Sequence, residues 1–126
     1  MPSPDVIERF IIRVEENAHA EACQEFHLLD STMTENQGAP RVGRHAHVAA
    51  EQAIMARAVS VTSQCIRPVF IHGDHVAIRW RFRFEWPNGT VTDMEEMAVQ
   101  RWVGDKIASE TFFYDPAQRV PKPQMS

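Results

Sequence analysis

The sequence is short of the residues and segments that mark several large classes of protein. It holds two cysteines in 126 residues, Cys23 and Cys65, which is too few for the disulfide framework of a small secreted domain. We expect both to be small buried side chains in a reducing compartment. No run of about eighteen uncharged apolar residues occurs, and the N-terminus lacks the basic and apolar regions of a signal peptide. A cytoplasmic location is therefore expected.

Lysine is also scarce, since Lys106 and Lys122 are the only two beside 11 arginines. The net charge is −4, so the chain lacks the dispersed basic face that binds nucleic acid or an anionic membrane, and neither partner is expected. Apolar residues make up 44% of the sequence, enough for one hydrophobic core. We expect a single domain over 1–126, with its core over about 5–116 and a proline-rich tail over 117–126.

Three helices are predicted in the N-terminal half. Ser3 is a typical N-cap, and the residues after it carry apolar side chains at helical spacing. A second helical stretch is predicted to end near Asp30, followed by a short strand over 31–35 and a loop over 36–43. The alanine-rich segment 44–58 predicts the third helix.

The C-terminal half changes to the two-residue period of β-strands. Over 78–86 every even position is apolar and every odd position is charged, which predicts a half-buried strand with an aromatic inner face. Turns are predicted at 72–75, 87–89 and 104–105, and Pro68 predicts a bulge or an edge position. This order of elements predicts an α+β domain with helices packed on one face of an antiparallel sheet.

Two blocks of sequence carry a family resemblance. One is MTEN over 33–36 followed by PRVGR over 40–44, and the other is EEMAVQRW over 95–102 with FYDP over 113–116. Together with the order of elements, they resemble the nuclear transport factor 2-like superfamily, and within it the SnoaL-like branch of polyketide cyclase and ketosteroid isomerase relatives. The resemblance implies a curved antiparallel sheet that three N-terminal helices wrap into a cone with an internal pocket, a cystatin-like α+β barrel. Because the superfamily includes several enzyme classes and non-catalytic modules, it does not imply one reaction.

Glu35 is the first candidate for catalysis. The resemblance implies that it lies where ketosteroid isomerases hold the carboxylate that moves a proton, and burial in an aromatic cavity suits such a group for base catalysis near neutral pH. The alternative is a structural acceptor for backbone amides of the loop 37–43 or of a helix N-terminus. At the positions of the isomerases' two oxyanion donors this chain has Phe10 and Ala98, so steroid isomerisation is not expected.

Glu110 and Glu96 are two further acidic candidates on neighbouring strands. The resemblance suggests that Glu110 faces inward, and two carboxyls in one apolar cavity have their pKa values pushed apart, which leaves one base and one acid. The alternative is that both form structural ion pairs with arginines.

The turn at 87–89 decides which acid faces the pocket. A two-residue turn places Glu95 opposite Phe82 and turns Glu96 outward, whereas a three-residue loop with a bulge places Glu96 opposite Trp80. Both registers are compatible with the sequence, and the bulged loop is favoured.

The other candidates are pocket walls. The resemblance and the strand pattern suggest that substrate is bound by seven side chains: Phe10, Trp80, Phe82, Ala98, Gln100, Phe112 and Tyr114. The six histidines do not predict a metal site, because His45 and His47 are two apart at a helix start and His19 and His27 are placed on the surface of a helix. No cofactor or metal is expected.

These features predict a pocket protein for small apolar molecules. Our leading hypothesis is a cofactor-free isomerase, cyclase or lyase in which Glu35, Glu110 and Glu96 move a proton on an apolar, carbonyl-bearing substrate. The alternative is a non-catalytic ligand-binding or dimerisation module whose cone is filled by its own side chains. A homodimer is expected in either case, because an exposed sheet face that carries Met97, Val99 and the arginines suits an isologous contact.

Overall fold

The computed structural model of the protein describes residues 1–124, so the end of the tail predicted over 117–126 lies outside the described residues. Its three helices are α1 Pro4–Glu15, α2 His19–Phe26 and α3 Arg44–Arg57. Its strands are β1 His27–Glu35, β2 Arg41–Val42, β3 Ser60–His72, β4 His75–Glu85, β5 Thr90–Val103, β6 Lys106–Phe113 and β7 Lys122–Pro123. A 3-10 helix, Pro116–Arg119, lies between the last two strands.

The helix starts and ends follow from local chemistry. The Oγ atom of Ser3 accepts a hydrogen bond from the backbone N–H of Val6 at 3.2 Å, as predicted for an N-cap, and α1 buries one apolar face. The second helix ends at Phe26, not near Asp30, because His27 adopts an extended backbone with φ −97° and ψ 144°. The strand β1 therefore begins four residues earlier than predicted.

The sheet is curved, unclosed and mixed, in the order β2-β1-β6-β5-β4-β3. The strands β3 to β6 are antiparallel to their neighbours along the chain, as predicted. One prediction needs correction, since β1 runs parallel to β6 and the sheet is not wholly antiparallel. The α+β class and the cone of three helices on a curved sheet are confirmed.

The register of β4 against β5 follows the bulged loop. Trp80 pairs with Glu96 and Arg81 pairs with Glu95, so Glu96 shares the inward face with the aromatic side chains. Gly89 has φ 81°, the left-handed conformation that this loop needs. The predicted irregularity at Pro68 is also confirmed, because the β3–β4 register shifts between Ile66 and Phe70.

The core lies between the helices and the concave face of the sheet. Ile78, Trp80 and Phe82 are buried there, and the rings of Trp80 and Phe82 stack with centroids 5.5 Å apart. On the convex face Arg79 and Arg81 of β4 are exposed and pair with acids of β5, as Arg79 does with Glu95 at 2.8 Å. Both cysteines are free and buried, as predicted. Among residues 1–124, no helix is both long enough and apolar enough to cross a bilayer.

Candidate functional site

A cavity of about 350 Å³ opens between the helices and the concave face of the sheet. Its volume lies within the range of ligand pockets, about 300–1,000 Å³. The aromatic residues of its lining are Phe10, Trp80, Phe82, Phe84, Trp86 and Phe112. Its acidic and imidazole residues are Glu35, Glu51, Glu96, Glu110, His19 and His27. This volume favours a ligand pocket over a cone filled by its own side chains.

Two consecutive hydrogen bonds behind the cavity wall, from Trp102 to Gln100 and from Gln100 to Glu110, fix the carboxyl of Glu110. The indole Nε1 of Trp102 donates to Oε1 of Gln100 at 2.9 Å, and Nε2 of Gln100 donates to Oε2 of Glu110 at 2.6 Å. An indole N–H can only donate, so the amide of Gln100 has one possible orientation. Oε2 of Glu110 is therefore an acceptor, and any proton on this carboxyl is carried on Oε1.

His27 supports the same carboxyl from the neighbouring parallel strand. Its Nε2 lies 3.4 Å from Oε1 of Glu110, and its Nδ1 lies 3.1 Å from Oγ of Ser31. His27 and Glu110 are 1% and 3% exposed. A neutral imidazole that accepts the hydroxyl proton of Ser31 at Nδ1 carries its hydrogen on Nε2, the nitrogen nearest to Glu110. The prediction that His27 lies on a helix surface is wrong, because it begins β1 and points into the cone.

Glu96 differs from Glu110 in having no fixed partner. No side chain or backbone group among the described residues bonds to its carboxyl, which lines the cavity beside Trp80. Burial raises the pKa of Glu96 to about 8, and the negative charges of Glu110, Glu51 and Glu35 act in the same direction. At neutral pH this carboxyl is mostly protonated and presents an O–H donor to the cavity.

Glu35 lies at the mouth of the cavity, not in its aromatic interior. Its side chain is 57% exposed and forms an ion pair with Arg119, whose Nη1 also donates to the hydroxyl of Tyr114 at 3.0 Å. The parallel register places Glu35 beside Phe112 at the end of β1, where the C-terminal segment supplies the arginine. The prediction that Glu35 is a desolvated base is therefore wrong. Its side chain pairs with Arg119 and not with the backbone amides of the loop 37–43.

Four of the seven predicted substrate-binding residues line the cavity, namely Phe10, Trp80, Phe82 and Phe112. The other three do not. Ala98 and Gln100 are fully buried behind the wall, and Tyr114 points its hydroxyl at Arg119. Gln100 influences the site only through the hydrogen bond that orients Glu110.

Several lining residues were not predicted, among them His19, Cys23 and Glu51. His19 is 8% exposed, so its assignment to a helix surface is wrong, and its Nδ1 lies 3.7 Å from Oε2 of Glu51 on α3. Cys23 also lines the cavity, and burial raises the pKa of its thiol, which stays protonated and unreactive. Within residues 1–124 no three side chains of histidine, cysteine, aspartate or glutamate are grouped as metal ligands.

The fold recurs in solved structures of low sequence identity. A hypothetical protein from Catenulispora acidiphila with a ketosteroid isomerase-like fold, in complex with trimethylamine, has a TM-score of 0.76 and 18% identity, covering 94% of this chain and 91% of that one. A candidate SnoaL-like polyketide cyclase from Mesorhizobium loti has a TM-score of 0.72 and 18% identity, covering 87% and 97%. An LEH-like epoxide hydrolase from M. tuberculosis has a TM-score of 0.74 and 10% identity, covering 91% and 84%.

No functionally curated protein is significantly similar to the chain in sequence. The SnoaL-like domain matches residues 7–110, which include all three helices, except the first turn of α1, and most of the sheet. Because this match covers most of the sequence and agrees with the observed cone, the chain belongs to the SnoaL-like domain family.

Proposed function

We propose that the protein is a cofactor-free proton-transfer enzyme, an isomerase, cyclase or lyase that acts on a small apolar carbonyl compound. One observation carries this proposal: two unlike carboxyls share one aromatic cavity. Glu110 accepts a hydrogen bond from Gln100 and lies beside His27, whereas Glu96 lines the cavity without a partner, and its pKa is raised to about 8. A base and an acid in one site are what a proton transfer beside a carbonyl requires.

Glu110 is the proposed base. Its Oε2 is already occupied by the amide of Gln100, so Oε1 is the oxygen that removes a proton from the carbon beside the carbonyl. The imidazole Nε2 of His27 lies 3.4 Å from this oxygen and limits its position in the cavity wall.

Glu96 is the proposed donor to the carbonyl oxygen. Negative charge develops on that oxygen as the proton leaves carbon, and a hydrogen-bond donor aimed at it stabilises the transition state. Neither Phe10 nor Ala98 can donate such a bond. Glu96 lies two residues from Ala98 on the same inward face of β5, so it can supply the missing donor from a neighbouring position.

The aromatic wall supports a flat, apolar ligand body. The ring of Trp80 stacks on Phe82 and that of Phe84 stacks on Trp86, both with centroids 5.5 Å apart. Such a wall buries a planar ring system favourably and excludes water from the reacting groups.

A second candidate is a non-catalytic ligand-binding module. It is favoured by the contacts of Glu110, whose Oε2 accepts from Gln100 and whose Oε1 lies 3.4 Å from Nε2 of His27. In this case the network is a structural device, and the cavity holds a small apolar molecule without changing it.

The test is deuterium uptake by 2-tetralone, an enolisable bicyclic ketone, followed in D2O by proton NMR. We expect the wild type to exchange the α-protons faster than buffer, Glu110→Gln to lose the acceleration, and Glu96→Leu, which leaves no hydrogen-bond donor at this position, to lose about 10²-fold or more. The matched control is Glu95→Leu, because Glu95 is exposed on the convex face and pairs with Arg79. This control should exchange at the wild-type rate.

The two candidate functions give opposite results. If 2-tetralone binds, as shown by shifted indole resonances of Trp80, yet exchanges at the buffer rate, the protein is the binding module. Equal loss of activity in Glu95→Leu and Glu96→Leu would also contradict the proposed role of the inward carboxyl.

A further inference from the structure

The helical wall of the cavity carries a second carboxyl–imidazole pair that the proposed mechanism does not use. Glu51 of α3 and His19 of α2 both line the cavity, and Nδ1 of His19 lies 3.7 Å from Oε2 of Glu51. The ring of His19 is buried edge-on against Phe82, with centroids 5.3 Å apart. Glu110, by contrast, belongs to the sheet wall.

Hydrogen-bond direction determines which nitrogen of His19 carries a hydrogen. Nδ2 of Asn17 donates to the carbonyl of Val61 at 2.9 Å, so Oδ1 of Asn17 accepts the hydroxyl proton of Ser63 at 2.8 Å. The hydroxyl of Ser63 has then used its only hydrogen. It must accept at 2.8 Å from Nε2 of His19, which is therefore protonated.

The remaining nitrogen, Nδ1, faces Glu51. With a neutral His19 and an ionised Glu51, a lone pair would face a carboxylate at 3.7 Å, which is repulsive. The arrangement is favourable when the pair holds one more proton, either as an imidazolium beside a carboxylate or as a carboxylic acid beside an imidazole. In the His27–Glu110 pair, by contrast, the tautomer that accepts from Ser31 at Nδ1 carries its hydrogen on Nε2, the nitrogen nearest to the carboxyl.

We infer that the Glu51–His19 pair holds an exchangeable proton at the cavity and donates it to the ligand, on the wall opposite the base Glu110. The inference rests on the proposed function for the identity of the base, and it adds two catalytic residues. It also narrows the substrate class to an apolar ketone that carries a leaving group, such as a β-hydroxy ketone.

The balanced step is an elimination of water. Oε1 of Glu110 takes the proton beside the carbonyl, and the electrons of that C–H bond form the new C=C bond. The β C–O bond breaks, and the departing hydroxyl takes the proton held between His19 and Glu51 and leaves as water. After the enone is released, Glu110 loses its proton to solvent, and the Glu51–His19 pair takes up a proton from solvent.

The experiment compares two reactions in the same variants. Dehydration of 4-hydroxy-4-phenylbutan-2-one to benzylideneacetone, followed by near-ultraviolet absorbance, needs the donor, whereas exchange of 2-tetralone does not. In Glu51→Gln the side-chain amide can donate a hydrogen bond to Nδ1 of His19, but an amide N–H does not give up its proton to a ligand. We expect the ratio of dehydration to exchange to fall about 10²-fold in this variant. The control Glu21→Gln, on the exposed side of α2, should leave the ratio unchanged.

Nitrogen-15 NMR of the histidine rings tests the proton itself. At neutral pH we expect Nδ1 of His19 to be protonated or strongly hydrogen-bonded in the wild type, and to become a neutral acceptor in Glu51→Gln. A free imine Nδ1 in the wild type, or an unchanged reaction ratio in the variant, would overturn the inference. If the wild type catalyses neither reaction, the proposed function fails, whereas exchange without dehydration refutes only the donor role.

Discussion

Replacing Glu96 by glutamine is expected to remove the loss of folding stability that the wild type shows as pH rises. In the wild type, burial raises the pKa of Glu96 from 4.5 to about 8. Below about pH 4.5 the carboxyl is protonated in both the folded and the unfolded chain, so it has no effect on the free energy of unfolding. Between pH 4.5 and about pH 8, Glu96 is ionised in the unfolded chain and protonated in the folded chain. The stability of the wild type therefore falls as pH rises through this range.

The size of the effect follows from the same two values. At 1.36 kcal/mol for each pH unit, the shift corresponds to about 5 kcal/mol above pH 8. Water in the open cavity stabilises the charged form in part, so we expect about 2–5 kcal/mol. Glutamine has the same shape and never ionises, so Glu96→Gln should be destabilised little at pH 4 and be more stable than the wild type at pH 9.

Urea unfolding of both proteins at several pH values between 4 and 9 measures this difference. Glu95→Gln is the control, since its exposed pair with Arg79 contributes about 1 kcal/mol or less at any pH. Parallel stability curves for the wild type and Glu96→Gln would refute the reasoning, because they would show that this carboxyl ionises as it does in water.

Four further predictions concern the fold and its assembly. Trp102→Phe removes the donor that orients Gln100 and should lower the free energy of unfolding by about 1–3 kcal/mol in urea, with slower 2-tetralone exchange. Ser3→Ala removes the N-cap of α1 and should cost about 1 kcal/mol, seen as a lower thermal midpoint. Ile78→Ala leaves a cavity at a fully buried position and should cost about 2–5 kcal/mol in urea. The homodimer that we propose predicts a light-scattering mass twice that of one chain, and a clean monomer would exclude it.

The inward face of the sheet could be predicted because strands have a period of two and are joined by short turns. The alternation in β4 identified Trp80 and Phe82, and the neighbouring strands then brought Glu96 and Glu110 to the same face. Local pattern sufficed for the aromatic residues, whereas the choice of Glu96 over Glu95 depended on the length of the turn at 87–89 and the inward face of Glu110 was implied by the family resemblance.

The supporting histidines could not be predicted in the same way. Leu28 and Leu29 continue an apolar pattern that is compatible with a helix, so nothing local indicates that the backbone becomes extended at His27. The pairing of Glu35 with Arg119 joins segments far apart in the chain, and its position depends on the parallel contact of β1 with β6. Long-range pairing of this kind leaves no periodic signal in either segment.

The parallel contact between β1 and β6 also bears on when the site comes into existence. His27 lies on the first strand and Glu110 on the sixth, so the pair forms only when the chain has closed a loop that contains β2, α3, β3, β4 and β5. Closing a loop of this length is among the slower events in folding. A partly folded chain can thus hold the aromatic wall of β4 while it lacks a supported base, and recovery of activity during refolding should follow the docking of β6 rather than the burial of tryptophan.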